Sequence, residues 1–462
     1  MRDSLSRLGL FSFFPLALAV VVCPWGSVAA DDLAPLSGEE LFHRRWEPRD
    51  PLCPEGDGLG PVFNETSCVA CHHLGAAGGG GANEHNVDLL TLKSPRDRLS
   101  VAAHRDRSHP LHVHPEFIAN QSTIVLHKFG VSSDYEYFRF QLLGLDYSRD
   151  MNAAERARFW TRMAKRERGA PATREVSVEG VQFLLTQRNT PALFGAGLID
   201  AITAEQIEAV AKRQAESSDN VKGRVAKGNP APRLDTVGRF GWRGQTVSLE
   251  DFVRGACANE LGLATRTHSQ ANDPLGSERR DPVVDLDEAS CHALVNFVRE
   301  LSRPRQVLPI DPKEANAVER GEVLFHGIGC AACHAASVGG VDGIYGDLLL
   351  HDMGPGLADP VPARPQTEVV GQRIIGSGYF GSIVQDLVAG FDTNVHQEWR
   401  TPPLWGVADS APYLHDGRAA NLAQAILMHG GEAVDARHRV TLLTSPDRDM
   451  LLRFLMTLLA PR

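Results

Sequence analysis

The pattern of hydrophobic and polar residues divides the chain into a short apolar leader at the N-terminus and a long segment in which apolar and polar residues are interspersed. Residues 8–22 are almost entirely apolar, Arg2 precedes them, and small residues follow at 28–30. A basic start, a short apolar run and a small-residue cleavage site, in that order, are typical of a secretory signal peptide. The run is shorter than the roughly 20 residues that span a bilayer, although an uncleaved anchor stays an alternative. We expect residues 1–30 to be removed and the mature protein to reach the periplasm, with no stable membrane insertion.

Beyond the leader, apolar spacing and capping residues predict mostly helices. In SGEELFHRRW, Ser37 is the expected N-cap, and Glu follows in the first turn. In SPDRDMLLRFLMTLL, Ser445 is the expected N-cap and Pro446 the first helical residue. AAERARFWTRMAKRER is predicted to be a charged, solvated helix, with a docking patch as the alternative. Short strand pairs near Val176 and Val247 stay open, and the predicted fold class is mainly α.

The chain repeats itself. Three segments of the first half recur in the second half in the same order: Gly38–His43 as Gly321–His326, Thr190–Gly195 as Thr401–Gly406, and Trp242–Gln245 as His415–Arg418. Such self-similarity indicates a duplicated unit. The segment SRPRQVLPIDPKEAN closes one helix with prolines and opens another at Asp311, so a boundary is expected there. We predict two tandem domains, 31–304 and 305–462, with insertions in the first.

Each repeat contains one Cys-x-x-Cys-His motif, at 68–72 and at 330–334. Cysteines one helical turn apart can hold the edge of a porphyrin by two thioether bonds, and the next histidine then ligates the iron. A structural zinc site would need further Cys or His ligands at matching spacing, and the remaining cysteines form no such pair. We predict two cytochrome c-like domains, each with one covalent haem c. The predicted attachment sites are Cys68, Cys71, Cys330 and Cys333, and the predicted proximal ligands are His72 and His334.

The balance of acidic and basic residues limits the kinds of molecule that the protein is expected to bind. Lys and Arg total 47 against 57 Asp and Glu, which argues against a nucleic-acid partner. A mildly acidic surface suits a basic redox protein as electron donor. Outside the leader and the motifs, the chain has Cys53, Cys257 and Cys291. An oxidising compartment permits a disulfide between Cys257 and Cys291, which would leave Cys53 unpaired.

Longer stretches resemble a known family. FGWRGQTVSLEDFVRGACANELG and TPPLWGVADSAPYLHDGRAANLAQAILMHGGEA resemble segments of the bacterial di-haem cytochrome c peroxidases and their methylamine-utilisation relatives. RNTPALFGAGLIDAI, LLLHDMGPGLAD and HGGEA are similar to the di-haem oxidoreductase family, which is also labelled peroxidase or thiol oxidoreductase. The resemblance covers nearly all of the mature chain. It implies an electron-transfer haem in the C-terminal domain and a catalytic haem in the N-terminal domain.

The resemblance implies that His429 is the sixth ligand of the C-terminal iron. A sixth protein ligand makes a haem an electron relay, whereas an open position beside an acid permits peroxide chemistry. His429 stands where the related peroxidases have a Met or Tyr ligand, so we expect it to complete a bis-His iron with His334. The competing ligands are His351, Met353 and Met428. The alternative role of His429 is a cap at the helix end before Gly430.

On the N-terminal side, Glu260 resembles the distal acid of the peroxidases, and Trp242 resembles the tryptophan between the haems. A carboxylate beside an open iron position can take a proton from H₂O₂ and return it to the distal oxygen, and burial would raise its pKa toward that task. The chain departs from the family pattern in having Phe252 where a Gln usually lies and in a shorter spacing between Trp242 and Glu260. Alternatively, Glu260 is a surface residue at the helix end, and Trp242 and its counterpart His415 pack the domain interface.

The expected function is two-electron reduction of hydrogen peroxide, with electrons from a small redox protein entering at the C-terminal haem. Oxidation of a protein side chain, as in the methylamine-utilisation relatives, is one alternative. A plain electron-transfer cytochrome is the other, and several histidines able to cap the N-terminal iron favour it: His85, His104, His109, His112, His114 and His127. The resemblance also implies one calcium ion near the backbone of Ser410 and Pro412.

Overall fold

The helices form where the sequence places amphipathic, capped segments. In the computed structural model they are α1 (Gly38–His43), α2 (Cys68–Cys71), α3 (Tyr135–Leu142), α4 (Ala153–Glu167), α5 (Ala196–Asp200), α6 (Ala204–Glu216), α7 (Leu249–Glu260), α8 (Glu288–Glu300), α9 (Pro312–Gly327), α10 (Leu422–Met428), α11 (Val434–Leu442) and α12 (Ser445–Leu455). Within the described residues, none of these helices combines the length and the apolarity needed to cross a membrane.

The structure describes residues 35–93, 114, 117, 123–145, 147–148, 150–167, 173–178, 181–217, 220–227, 237–276, 284–359, 373–375, 383–385 and 396–461. The predicted signal peptide, residues 1–30, lies outside these ranges.

The strands are short, and all their pairings are antiparallel. They are β1 (Val62–Phe63), β2 (Val87–Leu92), β3 (Thr123–Leu126), β4 (Phe129–Gly130), β5 (Arg174–Val178), β6 (Val181–Arg188), β7 (Arg305–Gln306), β8 (Ser337–Val338), β9 (Val341–Asp342), β10 (Leu350–Asp352), β11 (Arg373–Ile375), β12 (Ile383–Gln385), β13 (Glu398–Arg400) and β14 (Leu458–Leu459). Most of them form two-stranded ladders, including β1 with β4, β7 with β14 and β10 with β13.

Capping side chains fix two helix starts as predicted. Ser37 and Glu40 form a reciprocal capping box at α1. Asp311 accepts from the backbone N–H groups of the first turn of α9, with Pro312 as the first helical residue. Sequence alone therefore locates the first helix of each repeat.

The prediction that Ser445 caps the last helix is wrong by one residue. The side chain of Thr444 accepts from the backbone N–H of Asp447, so Thr444 is the N-cap and α12 begins at Ser445. Pro446 is then the second helical residue. Thr and Ser are both good N-cap residues, so the sequence alone does not distinguish them. The cap is Thr444, because its side chain accepts from the backbone N–H of Asp447.

The same helix crossing occurs in both repeats, between α1 and α8 and between α9 and α12. An added Cβ at Gly38 would lie 2.1 Å from the carbonyl oxygen of Ala293, and one at Gly321 would lie 2.0 Å from that of Met450. At each crossing the two backbones approach so closely that only glycine fits. The repeat in the sequence therefore corresponds to a repeat of helix packing.

A four-stranded antiparallel sheet, in the order β3-β2-β6-β5, lies within residues 87–188. Its central pair, β2 and β6, runs in register from Val87 opposite Arg188 to Leu92 opposite Phe183. The sheet has its own apolar core with α3 and α4, which includes Leu90, Phe117, Tyr135, Phe140, Phe159 and Phe183. The fold class "mainly α" is therefore too simple.

Of the two strand pairs that the sequence left undecided, one is present in the structure and the other is not a named strand pair in the described residues. The pair near Val176 is confirmed, because β5 and β6 pair from Arg174 to Val178. Near Val247, by contrast, the structure has a single antiparallel bridge between Phe240 and Thr246 and no named strand in the described residues.

The other two large cores lie around the two repeated helix pairs. The first surrounds α1, α7 and α8, and it also takes in Leu348 and Trp405 from the second repeat. The second lies between α9 and α12 and includes Val318, Phe325 and Phe454. Apolar side chains thus cross the predicted boundary at 304–305, and the boundary itself stays a prediction.

We expect Gly38→Ala and Gly321→Ala each to lower the free energy of unfolding by about 1–3 kcal/mol, because a methyl group at either crossing would force the helix backbones apart. Urea unfolding measures the effect. Gly327→Ala at the end of α9 is the matched control, because no atom lies within 4 Å of its added Cβ. If all three variants are equally stable, the close backbone contacts are wrong.

Candidate functional site

The first motif folds as a single helical turn that presents His72. Ser67 caps α2 by accepting from the backbone N–H of Ala70, and the backbone N–H of His72 donates to Cys68 O at 3.0 Å. The Nδ1 atom of His72 lies 3.1 Å from Gly79 O. Because a carbonyl oxygen can only accept, Nδ1 must carry the hydrogen, which leaves the lone pair on Nε2. Burial lowers the pKa of His72 to about 4, so the imidazole is neutral.

The second motif repeats this arrangement. Residues Cys330–Ala332 form a 3₁₀ turn, and the Nδ1 atom of His334 lies 3.1 Å from Tyr345 O. Burial again lowers the histidine pKa to about 4. Iron-ligating histidines commonly donate the second ring N–H to a carbonyl in this way. Both motif histidines are therefore prepared to bind a metal through Nε2.

Each motif lines its own cavity. The larger cavity, about 690 Å³, is lined by residues that include Cys330, Cys333 and His334. It falls within the size range of small-molecule and cofactor sites, so its volume and its donor atoms fit a haem. The smaller cavity, about 110 Å³, is lined by Cys68, Cys71 and His72 among others, and offers the same donor set in less space.

In the described residues, two groups of side chains could hold a metal ion, but neither has the ligands expected of a structural zinc site. They are Glu65, Cys71 and His85, and Cys333, Asp347 and His351. Each group contains only one cysteine of its motif, whereas zinc sites built on Cys-x-x-Cys use both thiolates.

Glu260, the last residue of α7, lines the smaller cavity together with His72. Its carboxylate accepts a hydrogen bond from Asn64 Nδ2 at 2.9 Å. Burial raises the pKa of Glu260 to about 7, while the Asn64 hydrogen bond and the Lys128 charge lower it. Glu260 is half-buried at the helix end, with its carboxylate in the wall of the cavity.

Asn64 is the site residue that sequence reasoning missed. It is buried, and its Oδ1 accepts from the backbone N–H of Lys128 at 3.1 Å, which fixes the direction of the amide. Phe252 also lines the cavity but brings no hydrogen-bonding group. The amide that contacts the acid therefore comes from the loop before α2, and no spacing pattern in the sequence indicates it.

Trp242 lines both cavities. Its indole Nε1 donates to Asn189 O at 2.8 Å, and its own carbonyl accepts from the backbone N–H of Arg400 at 2.9 Å. Gly241 and Gly244, on either side of Trp242 and Arg243, have φ angles of +83° and +61°. This glycine-flanked turn places Trp242 in the walls of both cavities. Both of its expected roles, electron conduit and interface packing, stay predictions.

His415, the counterpart of Trp242, packs at the interface between the repeats. Its ring stacks on Trp399 with centroids 3.6 Å apart, and the Cζ atom of Arg243 lies 4.0 Å from the ring centroid of the same indole. Arg418 pairs with Asp416 at 2.6 Å. His415 therefore has the packing role that was the alternative for it in the sequence analysis.

His429 lines the larger cavity with His334. Its Nδ1 lies 2.7 Å from Ala425 O, so Nδ1 carries the hydrogen and Nε2 keeps its lone pair. Burial lowers its pKa, which favours the neutral form that ligates metals. His429 is also the C-terminal cap residue of α10, so the two roles considered for it are compatible.

The competing ligands differ in what they offer. Met428 is 39% exposed and does not line the larger cavity. His351 lies in the cavity wall, but its Nδ1 lies 2.8 Å from Glu432 and its Nε2 lies 2.9 Å from Asp347. Both carboxylates accept, and they raise the pKa of His351, so no ring nitrogen is left for iron. Met353 also lines the cavity and stays a competitor.

The histidines proposed as caps of the N-terminal iron have other surroundings. His85 pairs with Glu65 at 2.8 Å, and His127 Nε2 lies 3.0 Å from Asn259 O. His85, His127 and the buried His114 are absent from the lining of the smaller cavity. His104, His109 and His112 lie outside the described residues.

The remaining cysteines are buried thiols. Cys53, Cys257 and Cys291 are all free, so the predicted Cys257–Cys291 disulfide is not formed. Cys257 lines the smaller cavity, and burial holds its thiol pKa well above the usual value. A calcium ion near Ser410 and Pro412 stays a prediction.

Comparisons with known proteins agree with these features. A family model described as "Di-haem oxidoreductase, putative peroxidase" matches residues 175–373 and 378–458. The match includes Trp242, Glu260, the second motif and His429, and it begins after the first motif. A search of the curated proteins finds no match.

Several solved structures resemble the chain at low identity. One is a MauG-like protein associated with microbial copper homeostasis, with 19% identity, 68% of this chain and 95% of that chain covered, and a TM-score of 0.27. Another is the diheme peroxidase BthA from Burkholderia thailandensis, with 20% identity, 47% and 60% covered, and a TM-score of 0.24. A third is hydrazine synthase of Kuenenia stuttgartiensis, with 16% identity, 59% and 73% covered, and a TM-score of 0.31. Such low TM-scores carry no argument, whereas the family model spans more than half of the chain. The chain therefore belongs to the di-haem oxidoreductase family, whose cofactors are two haems.

Proposed function

We propose that the protein is an exported, periplasmic di-haem c oxidoreductase that reduces hydrogen peroxide. Cys68 and Cys71 would attach one haem, and Cys330 and Cys333 the other. The overall reaction combines H₂O₂ with two electrons and two protons to give two waters. When bound, the haem irons supply the position for peroxide and carry the electrons. The observation that carries the proposal is the half-buried carboxyl group of Glu260 in the same cavity as His72.

Glu260 is suited to move a proton within this cavity. With a pKa of about 7, the carboxyl is divided between its acid and base forms at neutral pH, which suits one group that accepts a proton and later returns it. Asn64 holds Oε2 in place. Apolar neighbours such as Phe252 and Leu261 exclude water and raise the proton affinity.

The C-terminal cavity supports an electron-relay role. His334 and His429 both line this cavity with a neutral imidazole and an available Nε2, so the two residues would hold one haem iron. Trp242 lines both cavities and would connect the relay to the reaction site. The formal net charge of −10 favours a small basic redox protein as the donor.

The electron-carrier alternative needs a second imidazole or thioether at the N-terminal iron. Among the described residues, the smaller cavity contains no histidine besides His72 and no methionine. Glu260 occupies that space instead, which favours catalysis over simple transfer.

We expect Glu260→Gln to lower peroxide turnover by roughly 10²- to 10⁴-fold, because the amide cannot accept the peroxide proton. Steady-state turnover with a reduced donor measures this, at equal haem content. Glu250→Gln is the control, because Glu250 lies at the start of the same helix with its side chain 47% exposed. Unchanged turnover in the Glu260 variant would remove the acid–base assignment.

The pH dependence of turnover should report the Glu260 pKa. The base form accepts the proton, so kcat/KM should rise with pH around a midpoint near 7. Asn64→Leu removes a hydrogen bond that lowers this pKa, so the midpoint should move to higher pH. Asn259→Leu is the control, because that amide bonds Gly255 O instead. A midpoint that stays in place or moves to lower pH in the Asn64 variant contradicts this role.

We expect His429→Ala to convert the C-terminal haem from six-coordinate low-spin to high-spin, because one axial imidazole is lost. Electron paramagnetic resonance of the oxidised protein measures the change. Met428→Ala, at the exposed neighbouring position, should leave the spectrum unchanged. If Met353→Ala gives the high-spin signal and His429→Ala does not, the sixth ligand is Met353.

A further inference from the structure

Buried arginines between the two cavities carry more positive charge than the carboxylates around them balance. Arg188, Arg243 and Arg400 are 5%, 8% and 8% exposed. Arg188 and Arg243 share one carboxylate, that of Asp359. Arg400 donates through Nε to Gly241 O at 2.9 Å, and it has no ion-pair partner among the described residues.

The other buried carboxylates of this region are already paired. Asp347 bonds His351, Glu398 bonds Arg224 and Asp416 bonds Arg418. Because Asp347 and Glu432 share the one imidazole of His351, that group keeps one negative charge. Three guanidinium groups against this charge and the carboxylate of Asp359 leave an excess of one positive charge. A buried cation without a partner is unfavourable because it has lost its hydration, so an anion from outside the protein chain is expected here.

Two of these arginines are divided between the two cavities. Arg400 lines the larger cavity, and its Nη1 has no hydrogen-bond partner. Arg188 lines the smaller cavity, and its Nε has none. Each cavity thus has one buried guanidinium with a free N–H group. Arg437 and Arg439 also line the larger cavity, but Arg437 is half-buried and Arg439 is exposed.

We propose that Arg400 and Arg188 are the propionate anchors of the two haems, Arg400 for the C-terminal haem and Arg188 for the N-terminal one. A haem brings carboxylate groups, and guanidinium N–H groups bind carboxylates by strong charge-assisted hydrogen bonds. The carboxylates supply the negative charge that the protein lacks. The haem edges that carry them then face the seam that contains Trp242.

The proposal depends on haem in both cavities, which is part of the proposed function, but not on peroxide reduction. Its test is therefore the reduction potential of each haem in the holoprotein, measured by optical redox titration with the two haems distinguished by their spectra. A nearby positive charge stabilises the ferrous state, because reduction adds an electron. An anchored propionate without its arginine would leave a buried negative charge with the opposite effect.

Arg400→Gln should lower the potential of the C-terminal haem and leave the N-terminal haem nearly unchanged, and Arg188→Gln should do the reverse. Arg400→Lys keeps the charge and should remain closer to the unsubstituted protein. Arg439→Gln is the control for charge loss at the exposed rim of the same cavity, and it should have little effect.

Three results would overturn the proposal. The first is an unchanged C-terminal potential in Arg400→Gln at full haem content. The second is an equal shift in Arg400→Lys, because charge would then be irrelevant. The third is an equal shift in Arg439→Gln, which would place the propionates at the exposed rim. If Arg400→Gln does not fold, the lysine variant and the Arg188→Gln variant still decide between these outcomes.

Discussion

The hydrogen bonds from His72 to Gly79 O and from His334 to Tyr345 O are the constraint on which both sites depend. A backbone carbonyl cannot donate, so each bond fixes the tautomer and leaves the Nε2 lone pair for a metal. The cysteines one turn earlier are then held beside the same cavity. Because the constraint is built from the motif turn and the loop after it, it can be duplicated with the domain and survive large insertions elsewhere.

The motif histidines are equivalent in the two repeats, so the residues on the opposite side of each cavity decide what each repeat can do. α7 ends in Glu260 and α10 ends beside His429, so corresponding helix ends bring a carboxyl group to one cavity and an imidazole to the other. Burial acts on both groups but with opposite consequences. It raises the pKa of the acid to a useful range near 7, and it lowers the pKa of the histidine into the neutral, metal-binding form.

Local features were predictable from sequence, whereas contacts between distant segments were not. The two motifs, the repeat and the caps at Ser37 and Asp311 depend on a few adjacent residues with fixed chemistry. The sequence indicates only the β5–β6 hairpin of the four-stranded sheet, because β2 and β3 lie far from it along the chain and gain stability only when paired. Asn64 and Arg400 carry no signal at all in the sequence. Their roles arise because the fold brings a loop amide to an acid, and an arginine into a cavity.

The seam between the cavities explains why the two halves have to fold against each other. The Arg400 backbone N–H donates to Trp242 O, and its guanidinium donates to Gly241 O. On the same strand, Trp399 stacks against His415 and receives the Arg243 guanidinium over its ring. Residues of both repeats therefore hold the indole of Trp242 and the buried charges in one fixed arrangement. Electron passage between two cofactors requires a constant separation, and the contacts of Arg400 with the Gly241–Trp242 backbone and of Arg243 with Trp399 fix the two repeats against each other. The side chains of Arg243 and Arg400 are buried only because the two repeats pack against each other. If the repeats were independent domains, both guanidinium groups would be exposed to water.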